Sequence, residues 1–310
     1  MKNVKTKIAA WWCAVFFLAA LTQGQTPGAH AFLLQWGVWG SGKGQMWNPY
    51  SVAVNAKGDV YVSDYVNERI EVFDSAGAYV NQWGNKGAGP GQFHHALGVA
   101  VGPQGDVFVA DTLNDRIEKF TSTGTWESNW GDTGNGPGQL FNPILLTVDA
   151  RGIVHVVDGS NNRIEEFTSE GAYRSQEGKA GNGAGQFNLP TGIAVDRDGN
   201  LYVSDTGNNR IEKFNSSGGF VAQWGTKGRA EGQFNGPGGV AVDEKNRVTV
   251  VDSGNNRVQV FSPNGNYLGQ WGTLGKNKGQ FNAPEGITVD GQGNIYVADW
   301  GNCRIEKFGP

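Results

Sequence analysis

The sequence predicts an all-β protein: a six-bladed β-propeller of four-stranded blades, closed by an N-terminal strand that completes the last blade. Three observations carry this prediction. First, a 47-residue period runs through the chain without insertion or deletion, so that Asp64, Asp111, Asp158, Asp205, Asp252 and Asp299 share one register. Arg69, Arg116, Arg163, Arg210, Arg257 and Arg304 share another. A period of this length marks one supersecondary unit that buries its apolar face against its neighbours. Second, each unit holds four short alternating runs separated by Gly, Asn and Asp, the residues of tight turns. Third, the last unit stops after three runs, at Phe308-Gly309-Pro310, while an unpaired fourth run stands at 32–37 with Trp36 in register with Trp83. Pairing the two closes the ring and removes two open sheet edges, whereas an open solenoid would need polar caps.

The fourth unit serves as the type. Residues 192–196 read as the first strand and 197–200 as a hairpin turn. A second strand follows over 201–205, then a loop over 206–209. Residues 210–214 form the third strand, 215–218 a second turn, and 220–224 the fourth strand. Forty-nine glycines suit many tight turns, and the Trp, Phe, Tyr, Val and Ile that recur at fixed places supply a core.

Residues 1–31 stand outside the repeat. Lys2, Lys5 and Lys7 precede an apolar stretch from Ile8 to Leu21, and Ala29-His30-Ala31 offers a small-x-small cleavage site. This layout reads as a secretory signal peptide, with cleavage nearer Gly24 as the alternative, and the apolar part is short for a membrane span. The expected domains are therefore a signal peptide over 1–31 and one propeller over 32–310. Export to the periplasm or the exterior is expected, with no membrane insertion of the mature chain. The net charge is −4, and loss of three lysines and no acid with the leader makes the remainder more acidic. That balance gives no footprint for nucleic acid. Cys13 would leave with the leader, so Cys303 pairs with nothing and stability must come from packing. A monomer is expected.

The repeat resembles that of the NHL family, named for its Asn-His-Leu motif. The resemblance lies in stretches such as Gly185-Gln186-Phe187-Asn188-Leu189-Pro190-Thr191-Gly192-Ile193-Ala194-Val195-Asp196, then Val203-Ser204-Asp205 through Asn209-Arg210-Ile211. It covers essentially all of the chain after residue 31, although Asn162, Asn209 and Asn256 show the middle letter mostly lost. NHL propellers include RNA-binding domains, protein-binding scaffolds, extracellular sensor domains of bacterial kinases and an amidating lyase. The resemblance thus implies the fold and leaves the activity open.

The six Asp–Arg pairs read as structural, since catalytic groups seldom occur six times over and a charge near a packed interior needs a partner. His155 stands where other blades have Tyr61, Phe108, Tyr202, Thr249 and Tyr296, and reads as a packing substitute. His94 and His95 are adjacent and lack a third ligand at metal spacing. The residues entering the first strands are Tyr50, Leu97, Ile144, Thr191, Gly238 and Glu285, a poor cage for any metal. No nucleophile elbow or phosphate loop is present, and neither a cofactor nor a catalytic residue is expected.

Function is therefore sought where the symmetry breaks. Ahead of the first strand, Trp47, His94 and Phe141 in blades one to three face Asn188, Asn235 and Asn282 in blades four to six. Val66 and Leu113 replace the small residues Ser160, Gly207, Gly254 and Gly301, and Glu68 and Asp115 replace asparagines. The expected ligand-binding patch is Tyr50, Tyr65, Val66, Glu68, Leu97, Leu113, Asp115 and Ile144, with Trp300 at its margin. Blade three also departs: Leu145 takes a usual glycine place and Glu177 a tryptophan place, which marks either a weak blade or an outer-rim contact. The expected function is an exported, non-enzymatic module that binds a protein, peptide or glycan. The alternative is a metal-dependent hydrolase or lyase with its site at the channel mouth. RNA binding conflicts with export and acidity.

Overall fold

The computed structural model describes residues 30–310; the predicted signal peptide lies outside them except for His30 and Ala31. Six four-stranded antiparallel sheets stand around a central channel. Blade one, the pattern for the rest, consists of Pro49–Val54, Val60–Asp64, Arg69–Phe73 and Tyr79–Trp83 from the channel outward. Blade six is built from Ile287–Val289, Ile295–Asp299 and Arg304–Phe308, with Phe32–Trp36 as its outer strand. Trp36 pairs with Ile305 there, so the ring closes as the register required. Just before it, the Ala31 carbonyl accepts the Gly309 N–H at 2.8 Å and the His30 ring packs 4.7 Å from Trp271.

The core lies between blades. Second strands such as Val60–Asp64 are buried along their whole length, because a neighbouring blade covers each face of the sheet. Outer strands such as Phe220–Trp224 alternate with solvent. Their terminal tryptophans reach across to the next blade: Trp36 lies 5.9 Å from Phe73, and Trp224 6.0 Å from Phe261. Trp224 also covers Gly265, where φ is +82° and a Cβ would sit 2.7 Å from the indole, so both backbone and contact demand glycine. In blade three Glu177 takes this place over Gly218. Burial pushes its carboxyl up to about 7, with Glu166 adding to the shift.

Each Asp–Arg pair ties an inter-blade loop to its blade. Asp205 Oδ1 accepts the Asn188 N–H at 2.7 Å, while Oδ2 accepts from Asn208 Nδ2 at 2.7 Å and Arg210 Nε at 2.8 Å. The Arg210 guanidinium then donates to the carbonyls of Asn182, Gly183 and Gln186, each at 2.8 Å. The same Nε–carboxylate bond recurs in all six blades.

A second row of carboxylates was not singled out from sequence. Glu71, Glu118, Glu165, Glu212 and Glu306 are fully buried beside these arginines. The Glu212 carboxylate accepts the Gly185 N–H at 3.0 Å and pairs with Arg210 at 2.7 Å. Blade five has Gln259 instead. Its amide oxygen accepts the Gly232 N–H at 2.9 Å and its nitrogen donates to the Gln233 carbonyl at 2.8 Å.

A third row joins neighbouring blades at the end of the loop between second and third strands. Its residues adopt left-handed backbone, with φ near 55°. Glu68 accepts the His95 N–H at 2.6 Å, Asp115 that of Asn142 at 2.8 Å, and Asn256 that of Ala283 at 2.8 Å. At the seam between blades six and one the place belongs to buried Cys303, whose sulfur is a poor acceptor. Cys303→Asn is therefore expected to stabilise the protein by about 1 kcal/mol, since asparagine tolerates this backbone and supplies the absent carbonyl. Thermal unfolding of the two proteins tests this, and an unchanged or lower midpoint for the variant rejects it.

Candidate functional site

The innermost strands place Tyr50, Leu97, Ile144, Thr191, Gly238 and Glu285 around the channel mouth, and the loops between second and third strands stand just outside them. Tyr50, Leu97, Ile144 and Gly238 belong to the strands themselves. On this face a cleft of about 280 Å³ opens over blades six, one and two. Its walls are Tyr50, Tyr65, His95, Leu97, Ala283, Glu285 and Trp300. Ring closure makes it possible, because Glu285 and Trp300 of the last blade become neighbours of Tyr50 and Tyr65 of the first.

Local structure fixes each wall. Trp300 opens a 3-10 turn, Trp300–Asn302, and its carbonyl accepts from Asn48 Nδ2 at 3.1 Å. The Tyr65 ring packs 4.4 Å from that of His95, with its hydroxyl 3.2 Å from Nδ1. Desolvation lowers the His95 pKa, which favours a neutral imidazole that can accept the phenol O–H. Burial raises the Tyr50 phenol strongly, and the nearby Glu285 charge adds to this. Glu285 itself is pushed up to about 7 by burial, opposed by the Ser253 hydroxyl. Gly238 keeps its space open: a Cβ there would lie 3.2 Å from Glu285 Oε2.

Of the residues expected in the patch, Tyr50, Tyr65, Leu97 and Trp300 come together in this cleft. Val66 and Leu113 are exposed on the rim outside it, and Ile144 lies further round the mouth. Glu68 and Asp115 are buried, and their carboxylates are committed to the backbone bonds described above. They do the work of the asparagines they replace, so the acidic group facing the cleft is Glu285 instead. Glu285 was visible in sequence as the one acid of its ring and His95 as one of two adjacent histidines, but nothing local placed them beside Tyr50 and Tyr65.

The asymmetry of the face is physical. In blades four to six, Asn188, Asn235 and Asn282 pack over Gly207, Gly254 and Gly301, leaving a Cβ no room. Blades one to three carry larger pairs: Trp47 with Val66, His94 with Leu113, Phe141 with Ser160, each joined by a backbone bond. Trp47, Leu113 and Phe141 are exposed, as is Trp39, which meets Trp47 edge-on at 5.5 Å.

Residues 187–214, 234–261 and 281–308 match the NHL repeat. They fall at the same place in three successive blades of the six. The chain is a six-bladed β-propeller with the NHL repeat in three of its blades. No protein of curated function matches it in sequence. Solved structures of similar fold include a streptogramin B lyase, at 17% identity and a TM-score of 0.61, over 85% of this chain and 94% of that one. A gluconolactonase from Xanthomonas campestris is 15% identical with a TM-score of 0.62, over 92% and 98%. An auxiliary nutrient binding protein from Bacteroides thetaiotaomicron is 13% identical with a TM-score of 0.64, over 92% and 75%. At such identities the likeness concerns the fold alone.

The donors at the mouth of this propeller do not fit a metal centre. Among the described residues, no group of three His, Cys, Asp or Glu side chains is arranged to hold a cation. The mouth ring contributes one carboxylate, and His95 Nδ1 is engaged by Tyr65.

Proposed function

We propose that this NHL propeller is an exported binding module that takes a protein or peptide on the face carrying the cleft. The observation that carries the reading is the aromatic cleft of Tyr50, Tyr65 and Trp300 beside an exposed apolar arc of Trp39, Trp47, Val66, Leu113 and Phe141. Exposed apolar surface of this extent, heaviest over blades one to three although Leu189 and Leu274 are also exposed in the loops of the other blades, is costly in water unless a partner covers it. Aliphatic rim residues favour a polypeptide over a glycan, whose hydroxyls need many polar partners.

The test is capture from a periplasmic or secreted fraction on immobilised protein, wild type against the Tyr65→Ala, Trp300→Ala double variant. Removing two central aromatic anchors is expected to weaken a specific partner by about 2 kcal/mol or more, roughly thirtyfold in affinity. Equal capture by both proteins rules the reading out.

A further inference from the structure

We propose that the cleft is an aromatic cage for an alkylammonium group, presented as a lysine-type side chain of the bound polypeptide. This deepens the binding reading above and rests on it. Three aromatic side chains, Tyr50, Tyr65 and Trp300, line the same small cleft as the Glu285 carboxylate. Aromatic faces attract a cation through their quadrupole, and alkylated ammonium groups shed water cheaply enough to enter such a site. Among the described residues, no ring stacking joins the three aromatics to one another. Tyr65 stacks on His95 instead, so a guest between the rings displaces none of their mutual contacts. Leu97 and Ala283 complete an apolar wall for the methylene or methyl groups of the guest.

Charge points the same way. The carboxylates beside the blade arginines are matched: Asp64 and Glu71 share Arg69, and Asp299 and Glu306 share Arg304. Glu285 sits in a cleft with neither lysine nor arginine among its lining residues. A cation seated over it would supply the missing partner. Groups facing Glu285 from the packed elements are Tyr50 and Tyr65 of blade one, His95 of blade two and the Ser253 hydroxyl of blade five. None of these carries a positive charge when His95 is neutral. Because burial pushes the Glu285 carboxyl up to about 7, a cation should bind more tightly as pH rises through that value, and binding should release a proton.

Isothermal titration at pH 8 with Nα-acetyl-lysine amide, its Nε-trimethyl form, Nα-acetyl-norleucine amide and choline tests the cage. Both lysine compounds are expected to bind at least about tenfold more tightly than the uncharged norleucine compound. Glu285→Gln, nearly isosteric and expected to fold, should remove that preference while leaving norleucine binding unchanged. Norleucine binding as well as lysine overturns the cage, and so does an unaltered preference in Glu285→Gln. Choline binding more tightly than either lysine compound overturns the side-chain source in favour of a free quaternary amine. If no cation binds yet the aromatic double variant still loses partner capture, the cage fails and the binding face stands. If capture is also unchanged, both fail.

Discussion

Arg210→Ala is expected to destabilise the propeller by about 3–5 kcal/mol, the cost of stranding buried charge. The substitution leaves two fully buried carboxylates, Asp205 and Glu212, without their cation. It also removes the donor for three loop carbonyls, those of Asn182, Gly183 and Gln186. The equivalent change in blade five should cost less. Arg257 faces a single carboxylate, Asp252, because Gln259 occupies the glutamate place and already satisfies its own neighbours. Urea denaturation of both variants measures the difference. Equal losses, or a loss under about 1 kcal/mol for Arg210→Ala, would show that loop attachment does not depend on the charge.

Stability is expected to fall as pH rises through neutrality. Burial pushes Glu71, Glu118, Glu165, Glu212 and Glu306 up to about 7 from an ordinary 4.5, against the opposing pull of the adjacent arginines. The folded chain thus holds these protons more tightly than the unfolded chain does. Their contribution is complete below 4.5 and is lost as pH passes through about 7. Asp64, Asp111, Asp158 and Asp299 are raised by burial as well and act in the same direction. Glu166 and Glu170, held down by His155 and Ser169, run the other way, as do His30 and His95, lowered by burial, but these are fewer. Between pH 5 and 8.5 stability should therefore fall progressively. Melting temperatures across that range check the sign, and a flat or rising profile contradicts it. Glu71→Gln and Glu165→Gln, copying Gln259, should flatten the fall.

Much of the fold was legible because the repeat writes the same local rules six times. A turn such as Asp196 to Asn200 is set by residues within four positions, with Asp196 Oδ1 accepting the N–H groups of Asp198 and Asn200. Strand and turn could therefore be read from any one blade, and the register of Trp36 with Trp83 gave the closure. The Asp–Arg pairs were legible for the same reason: five residues apart, at the ends of adjacent strands, they could hardly miss each other.

The burial of polar side chains was not legible. Glu71 and Glu68 are both acids on one blade, three positions apart. The first is a fully buried carboxylate beside Arg69, and the second accepts a backbone N–H of the next blade. Each outcome depends on loops and strands far along the chain, so an exposed acidic patch and a set of interior caps look alike in one dimension. Sequence by itself determined the unit, its count and the closing strand, because these follow from local periodicity and a single missing run. Only the tertiary structure decided the site. Closing the ring sets Glu285 and Trp300 against Tyr50 and Tyr65, and that contact depends on where six packed blades meet, a quantity no local window contains.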